Sequence, residues 1–365
     1  MNAPVTMVAT QRDDVDPRQL RNTGLHPDFW YPVARSRDLK RKQVVGVSFA
    51  GQPIALARTE SGAIMALENR CAHRQVPLDT GAVSGEHLQC GYHCWTYDRT
   101  GRCVNVPHAM GDNGRMPTGI KSYACREAYG LIFIFPGDQA LADSVAFPDI
   151  PSAGNPAYKT RYLDRRVNCH YSFMHENLMD MYHQFLHRRL MGGIKTLFLD
   201  MREGDAWIEV DYSFVRAKGA QPIGEKFILG KRPAPTTERD RDMMTIRTEY
   251  PYQTLRFWTA GSTEPALDLW NVYIPVDAEQ RVNHTFGLMM IRRPGIPGLI
   301  HLLWPFIIWF TEGIFAEDRW IVELEQDAFD KQGEDLNQEV FPVIRGLKRV
   351  LTRNGLPLRG NAPAA

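Results

Sequence analysis

The chain has 365 residues, enough for about two domains with substantial hydrophobic cores. It carries 43 Lys and Arg against 42 Asp and Glu, a net charge of +1, and 44% of its residues are hydrophobic. This composition excludes a disordered or fibrous protein, and the balanced charge argues against nucleic acid as a partner. Six cysteines are too few for a disulfide-rich secreted domain, and the N-terminus lacks a signal-peptide pattern, so we expect a cytoplasmic protein.

The first third of the chain predicts a small all-β domain. Its β-branched and aromatic runs are separated by Gly and Pro and lie at 44–49, 54–57, 64–67 and 129–135. Residues 137–157 are rich in Pro and Gly and lack a periodic apolar pattern, which is typical of a linker. The sequence therefore predicts an N-terminal extension (1–28), a β domain (29–136), the linker and a second domain (158–365).

The second domain predicts an antiparallel sheet with a few helices, so the overall class is α+β. A segment without Gly or Pro, 175–191, predicts one long helix, and 316–331 predicts the last helix. A Pro- and Gly-rich segment, 219–242, is typical of a surface excursion. Strand-like runs fall at 208–214, 244–250, 255–260, 269–276 and 285–291.

One apolar segment raises the question of a membrane. Residues 294–311 contain no formal charge, but Pro297 and Pro305 are poorly suited to a spanning helix. We therefore predict no transmembrane span and favour a buried or pocket-lining role for this segment. A contact with another protein or with a membrane surface is the alternative.

Two short loops each offer one thiolate and one imidazole. They are Cys71-Ala72-His73 and Cys90-Gly91-Tyr92-His93. Four such ligands can hold a structural zinc ion, or a [2Fe–2S] cluster in which the cysteines bind one iron and the histidines the other. Because both loops repeat the order Cys then His, with thiolates directed inward and imidazoles outward, the spacing favours the cluster.

This pattern, C-x-H followed by C-x-x-H, resembles the Rieske signature. In oxygenase-type Rieske motifs the second loop usually reads C-P-Y-H-G-W, whereas this chain has Gly91 and Cys94 at the Pro and Gly positions. We interpret Cys94 as a small, inert, buried residue.

A second set of candidate metal ligands lies in the predicted helix 175–191. On an ideal helix His183 and His187 are neighbours one turn apart, and Asp180 and Glu176 share their face. Alone, such a pair of histidines is more often structural. Two histidines and one carboxylate, however, form the facial triad of non-heme Fe(II) oxygenases.

Together, the two constellations resemble the catalytic subunit of Rieske non-heme iron oxygenases, over about 29–341. The resemblance implies a Rieske domain followed by a helix-grip (START-like) catalytic domain. It also implies that His183, His187 and Asp318 bind mononuclear Fe(II). Asp318 lies in a stretch that resembles the family's E-D-x-x-I-x-E, and Glu317 and Glu323 are the alternatives to it as the carboxylate ligand. Asp180 is then a catalytic-site carboxylate that hydrogen-bonds a ligand histidine and connects to a cluster histidine of the neighbouring chain.

The resemblance further implies a homotrimer that uses O₂ and electrons from a separate NAD(P)H-dependent reductase, with or without a ferredoxin. A basic group at 35–42 is a candidate ferredoxin surface, although a solvated face is the favoured interpretation. We expect a monooxygenase or demethylase rather than a ring dioxygenase, acting on an apolar or aromatic small molecule in aromatic-compound metabolism. The alternative is a non-enzymatic electron-transfer or structural metal domain fused to a domain that binds hydrophobic ligands.

Overall fold

The computed structural model describes residues 16–107, 116–216 and 242–358. Its chain contacts divide the protein into two compact units. The first contains His26–Asp149 and Ile274–Glu279. The second contains 16–25, Ile150–Tyr273 and 280–358, so the predicted surface excursion at 219–242 falls almost wholly outside the described residues.

The first unit is all β, as the alternating apolar runs predict. Its larger sheet has six strands in the spatial order Tyr31–Arg35, Leu131–Phe135, Ser122–Ala128, Ile64–Glu68, Gln52–Arg58 and Gln43–Phe49. A smaller sheet has four strands in the order Ala82–Ser84, His87–Gln89, Thr96–Tyr97 and Cys103–Asn105. Short 3-10 helices occupy Ser36–Asp38, Leu78–Thr80 and Gln139–Leu141.

The hydrophobic core of this unit contains two of the candidate ligands. Cys71 and Cys90 lie in one buried cluster with Leu67, Leu78 and Leu88. The core thus surrounds the sulfur atoms with apolar side chains, while the loops that carry them come to the surface.

A segment distant in sequence completes the first unit. The Ala50 N–H donates to the Pro275 carbonyl at 2.7 Å, and the Gly51 N–H donates to the Val276 carbonyl at 2.9 Å. Gly51 has a φ of +77°, and a Cβ there would lie 2.9 Å from the Ala278 side chain. These contacts place residues 274–279 with the first unit, although the sequence assigns them to the second domain.

The second unit is built on a seven-stranded antiparallel sheet. Its spatial order is Tyr158–Val167, Asn283–Arg292, Leu267–Pro275, Tyr252–Trp258, Met243–Glu249, Trp207–Arg216 and Ile194–Glu203. The first and last of these strands are not among the runs predicted from the sequence. A two-stranded pairing of Thr23–Gly24 with Leu356–Pro357 joins the N-terminal segment to the C-terminal one.

In the described part of this unit, four α-helices accompany the sheet: α1 (Tyr171–Met179), α2 (Arg188–Met191), α3 (Leu299–Gln332) and α4 (Pro342–Asn354). Helix α3 begins well before the predicted start at 316, and α4 follows it, so the prediction that 316–331 forms the last helix is wrong. Phe173 of α1 and Val322 of α3 share a buried cluster with Val167 and Cys169. This cluster packs α1 against α3.

The apolar segment 294–311 is not buried as predicted. Helix α3 continues through Pro305, and Leu302 and Trp309 on its outer side are 78% and 61% exposed. By length and composition, α3 is the one helix among the described residues that is long and apolar enough to cross a membrane. The buried or pocket-lining interpretation is therefore wrong for this outer side.

Candidate metal centres

The two candidate cluster loops have the same backbone geometry. In the first, the Cys71 N–H donates to the Val76 carbonyl at 2.9 Å, and the Cys71 carbonyl accepts from the Gln75 N–H at 2.9 Å. In the second loop, the Cys90 N–H donates to the Trp95 carbonyl at 2.8 Å, and the Cys90 carbonyl accepts from the Cys94 N–H at 3.2 Å. Each loop thereby holds its cysteine at the start of a tight turn and presents its histidine within that turn.

The shared geometry also defines the place of Cys94. Cys94 has a φ of 57° and occupies the position that Gln75, with a φ of 61°, occupies in the first loop. This left-handed conformation favours glycine, which explains why a glycine is the usual residue here. Cys94 is exposed, so our interpretation of it as a buried residue is wrong.

The four candidate cluster ligands converge with sulfur inside and nitrogen outside. Cys71 and Cys90 are each 2% exposed, and burial raises the pKa of the Cys90 thiol. The rings of His73 and His93 lie 4.7 Å apart at the surface, and His73 stacks on Trp95 at 4.8 Å. Two thiols on the inner side and two imidazoles on the outer side match the ligand set of a Rieske cluster.

Tyr97 is a neighbour of this site that sequence reasoning missed. Its hydroxyl lies 3.2 Å from Cys71 Sγ and accepts a hydrogen bond from the Ala72 N–H at 3.0 Å. Burial and the Cys71 thiol raise the pKa of Tyr97 well above its ordinary value, so the hydroxyl keeps its proton and can donate to a thiolate. Tyr97 lies 26 residues from Cys71, on the strand Thr96–Tyr97, and no local motif signals the contact.

The second candidate site is built around a break in the predicted helix. Helix α1 ends at Met179, and Asp180 has a φ of −91° and a ψ of 89°, which is not helical. The Asp180 carboxylate accepts from the Tyr182 N–H at 2.9 Å and caps a 3-10 helix, Met181–Phe185, that precedes α2. The prediction of one continuous helix over 175–191 is therefore wrong, because a capping aspartate competes with helical hydrogen bonding.

The break directs Glu176 away from the histidines. Glu176 Oε2 accepts from Arg21 Nη2 at 2.9 Å, and the Arg21 guanidinium lies 3.5 Å from the centre of the Phe173 ring. The Arg21 side chain is almost fully buried. The predicted N-terminal extension is thus anchored to α1 by a buried ion pair, and Glu176 does not share a face with His183.

His183, His187 and Asp318 converge despite the broken helix. Asp318 Oδ1 lies 3.2 Å from His187 Nε2 and 3.5 Å from His183 Nε2. One ligand atom from each of the three residues lies within 4.8 Å of the others. His187 Nε2 and Asp318 Oδ1 are buried without a hydrogen-bond partner. The lone pairs of two imidazole nitrogens and one carboxylate oxygen therefore converge on one point, and such a set of ligands fits a metal cation.

The outer nitrogens of both histidines also have partners. Glu317 Oε2 lies 2.8 Å from His187 Nδ1, so Glu317 is on the side of the ring that faces away from Asp318. Burial disfavours the charged form of His187, but Asp318 and Glu317 outweigh it and raise the pKa of His187. The Asp180 backbone carbonyl, not its carboxylate as predicted, hydrogen-bonds His183 Nδ1.

Glu323, the remaining alternative to Asp318 as a ligand, forms hydrogen bonds with other residues. Glu323 accepts from the Asn168 N–H at 2.9 Å and from Arg319 Nε at 3.0 Å. It is therefore not part of the three-residue cluster.

Comparison with known families agrees with both halves of the chain. Residues 29–124 match the family model of the Rieske [2Fe-2S] domain. Residues 167–344 match that of the vanillate O-demethylase oxygenase C-terminal domain. The first match decides against the zinc alternative for the four Cys and His ligands.

Curated proteins and solved structures extend the match to nearly the whole chain. A 4beta-methylsterol monooxygenase of Methylococcus capsulatus is 32% identical, over 91% of this chain and 89% of that protein. The oxygenase component of dicamba O-demethylase from Stenotrophomonas maltophilia is 40% identical over 44% of this chain and 47% of that protein. A crystal structure of dicamba monooxygenase bound to 3,6-dichlorosalicylic acid superposes with a TM-score of 0.74 and 25% identity, over 91% of this chain and 97% of that one.

The first of these matches also rejects the non-enzymatic alternative, because the similarity to a monooxygenase covers 91% of this chain and 89% of that protein. The chain joins a Rieske [2Fe–2S] domain to the catalytic domain found in vanillate O-demethylase, and His183, His187 and Asp318 converge in the second of these. It therefore belongs to the Rieske oxygenases, as the terminal oxygenase component.

Proposed function

We propose that His183, His187 and Asp318 hold mononuclear Fe(II), and that Cys71, His73, Cys90 and His93 hold the [2Fe–2S] cluster. The observation that carries the first assignment is the convergence of two imidazoles and one carboxylate, in which His187 Nε2 and Asp318 Oδ1 are buried without a hydrogen-bond partner. Such a set leaves coordination positions open, as in the facial triad of non-heme iron oxygenases. When bound, the iron supplies reductive activation of O₂.

The chain's own residues orient these ligands. Glu317 fixes the tautomer of His187 by accepting from Nδ1, and the Asp180 carbonyl does the same for His183. Both histidines thereby direct Nε2 at Asp318. The near-complete burial of His187 limits the access of water to this side of the site.

The substrate we propose is an apolar or aromatic small molecule that undergoes hydroxylation or oxidative demethylation at a methyl group. Two relatives support this class: one is named for a methylsterol and the other for O-demethylation of dicamba. An inactive variant of the metal site should bind such a molecule without converting it.

Oxygenase components of this family receive electrons from separate reductase or ferredoxin partners. We propose a homotrimer in the cytoplasm in which each cluster passes electrons to the iron of the next chain. A closed ring is proposed because head-to-tail contacts between identical chains form a closed assembly only as a ring. Asp180 is then a positioning residue at the boundary between two chains. The basic group at 35–42 is a weaker candidate for the donor surface, since Lys42 already pairs with Glu60 at 2.6 Å.

The metal content of protein purified without oxygen tests the assignment. We expect about three irons and two acid-labile sulfides per wild-type chain. His183→Ala should retain about two irons, both sulfides and the visible spectrum of the cluster, and should lose O₂ consumption. His301→Ala, an exposed histidine of α3, is the matched control and should keep all three irons. Three irons in the His183 variant would overturn the proposed ligand set.

A further inference from the structure

Helix α3 has two chemically different sides. At 100° per residue, Trp309 lies within about 20° of Leu302 around the helix, whereas Asp318 lies about 160° from it. Ile300 and Ile307, on the Asp318 side, are 4% and 0% exposed. The side that carries Asp318 is therefore packed into the second unit, and the opposite side faces outward.

The outward side is apolar where a solvated helix would be polar. The most hydrophobic 18-residue window of α3 has a mean hydropathy of 1.6, yet only 22% of it is buried. Leu302, Trp309 and Trp320, which lie within about 20° of one another around the helix, are exposed there, and Ile296, just before the helix, is 65% exposed. We call these four residues the apolar stripe. Isolated exposed apolar residues are ordinary, but a contiguous set marks a contact surface.

Unpaired cations lie beside the start of the same helix. Lys159 Nζ is 4.2 Å from the centre of the Trp304 ring and 2.9 Å from His301 Nδ1, and Arg293 Nη1 is 3.5 Å from His301 Nε2. Within the described ranges, Lys159, Arg292 and Arg293 form no ion pair with a carboxylate, since Arg292 donates to Ser262 Oγ and Arg293 to the Pro156 carbonyl. Partial burial and the nearby charge of Arg293 lower the pKa of Lys159.

We propose that the apolar stripe, with Lys159, Arg292 and Arg293, docks the oxygenase on the anionic surface of a lipid bilayer. Tryptophan and aliphatic side chains enter the boundary between headgroups and acyl chains, and neighbouring Lys and Arg bind lipid phosphates. The helix lies on the surface rather than spanning it, because its Asp318 side is packed against protein. Such docking brings lipid-dissolved molecules to the helix that carries Asp318.

Docking is measured independently of the iron site, so its failure is distinct from failure of the proposed function. The full-length, metal-loaded protein is sedimented with vesicles of phosphatidylcholine alone or mixed with phosphatidylglycerol. We expect the protein to bind the anionic vesicles at least about tenfold more strongly than neutral ones, and to bind them at least about tenfold more weakly at high salt, because Lys and Arg interact with the anionic headgroups.

Two variants test the two parts of the surface. Leu302→Ser with Trp309→Ser should lower the partition constant by at least about tenfold through lost apolar contact, and Lys159→Gln with Arg293→Gln should remove the preference for anionic lipid. The control is Leu336→Ser with Val340→Ser, which alters two residues that are 59% and 80% exposed outside α3 and should bind like the wild type.

Three results would overturn the proposal. The first is no sedimentation of wild-type protein with anionic vesicles. The second is an unchanged partition constant in the Leu302 and Trp309 double variant. The third is a change of oligomeric state in that variant, measured by light scattering, without vesicle binding by the wild type; the stripe would then be a contact between copies of this chain.

Discussion

Glu317 is expected to govern the affinity of the metal site without being a ligand. Its carboxylate lies 2.8 Å from His187 Nδ1, whereas Asp318 lies 3.2 Å from Nε2 on the other side of the ring. Glu317→Ala removes a hydrogen bond between a charged group and a nearly buried imidazole, a contact worth about 1.5–3 kcal/mol. That range corresponds to about 10- to 150-fold weaker Fe(II) binding, in keeping with the usual effect of losing a partner behind a metal-binding histidine.

Competition with a coloured Fe(II) chelator measures this affinity, and the visible spectrum of the cluster reports in the same sample on the rest of the protein. Glu317→Gln keeps an acceptor for Nδ1–H and should lose less than the alanine variant. Asp318→Asn should lose the mononuclear iron altogether. Unchanged Fe(II) affinity in Glu317→Ala would refute the role of Glu317, and complete loss equal to that of Asp318→Asn would show that Glu317 is itself a ligand.

Two further substitutions test the electron route and the cluster. Asp180→Asn keeps the backbone carbonyl beside His183 and an acceptor for the Tyr182 N–H, so both metal centres should stay occupied. It removes the carboxylate charge at the proposed boundary between two chains, so single-turnover electron delivery should slow; an intact rate would exclude the Asp180 side chain from the route. Tyr97→Phe removes the hydroxyl beside Cys71 Sγ and should lower the reduction potential of the cluster by about 20–60 mV, the equivalent of one typical hydrogen bond. An unchanged potential in a redox titration would show that the hydroxyl does not donate to the thiolate.

The proposed cluster ligands could be named from the sequence because their geometry is local. Each pair, Cys71 with His73 and Cys90 with His93, lies within one short turn, so spacing alone determines which side chains can meet. The strands of the first unit were predictable for a similar reason, since alternation of apolar residues is a property of consecutive positions. The all-β first domain and the C-terminal sheet follow from these local patterns.

The long helices were predicted less well because their boundaries depend on side-chain capping and on packing. The capping carboxylate of Asp180 interrupts a segment that lacks Gly and Pro, whereas α3 continues through Pro305 in a segment that seemed unsuited to a long helix. Neither outcome can be read from the composition of the segment.

The sequence by itself determined the class of each metal centre, through the residue types Cys, His and Asp and their short spacings. Only the tertiary structure decided which of three nearby carboxylates faces the histidines. Asp318 points at both Nε2 atoms, Glu317 holds the far side of His187, and Glu323 binds Asn168. A helix places these three side chains in different directions, and what each one meets depends on strands and helices more than a hundred residues away.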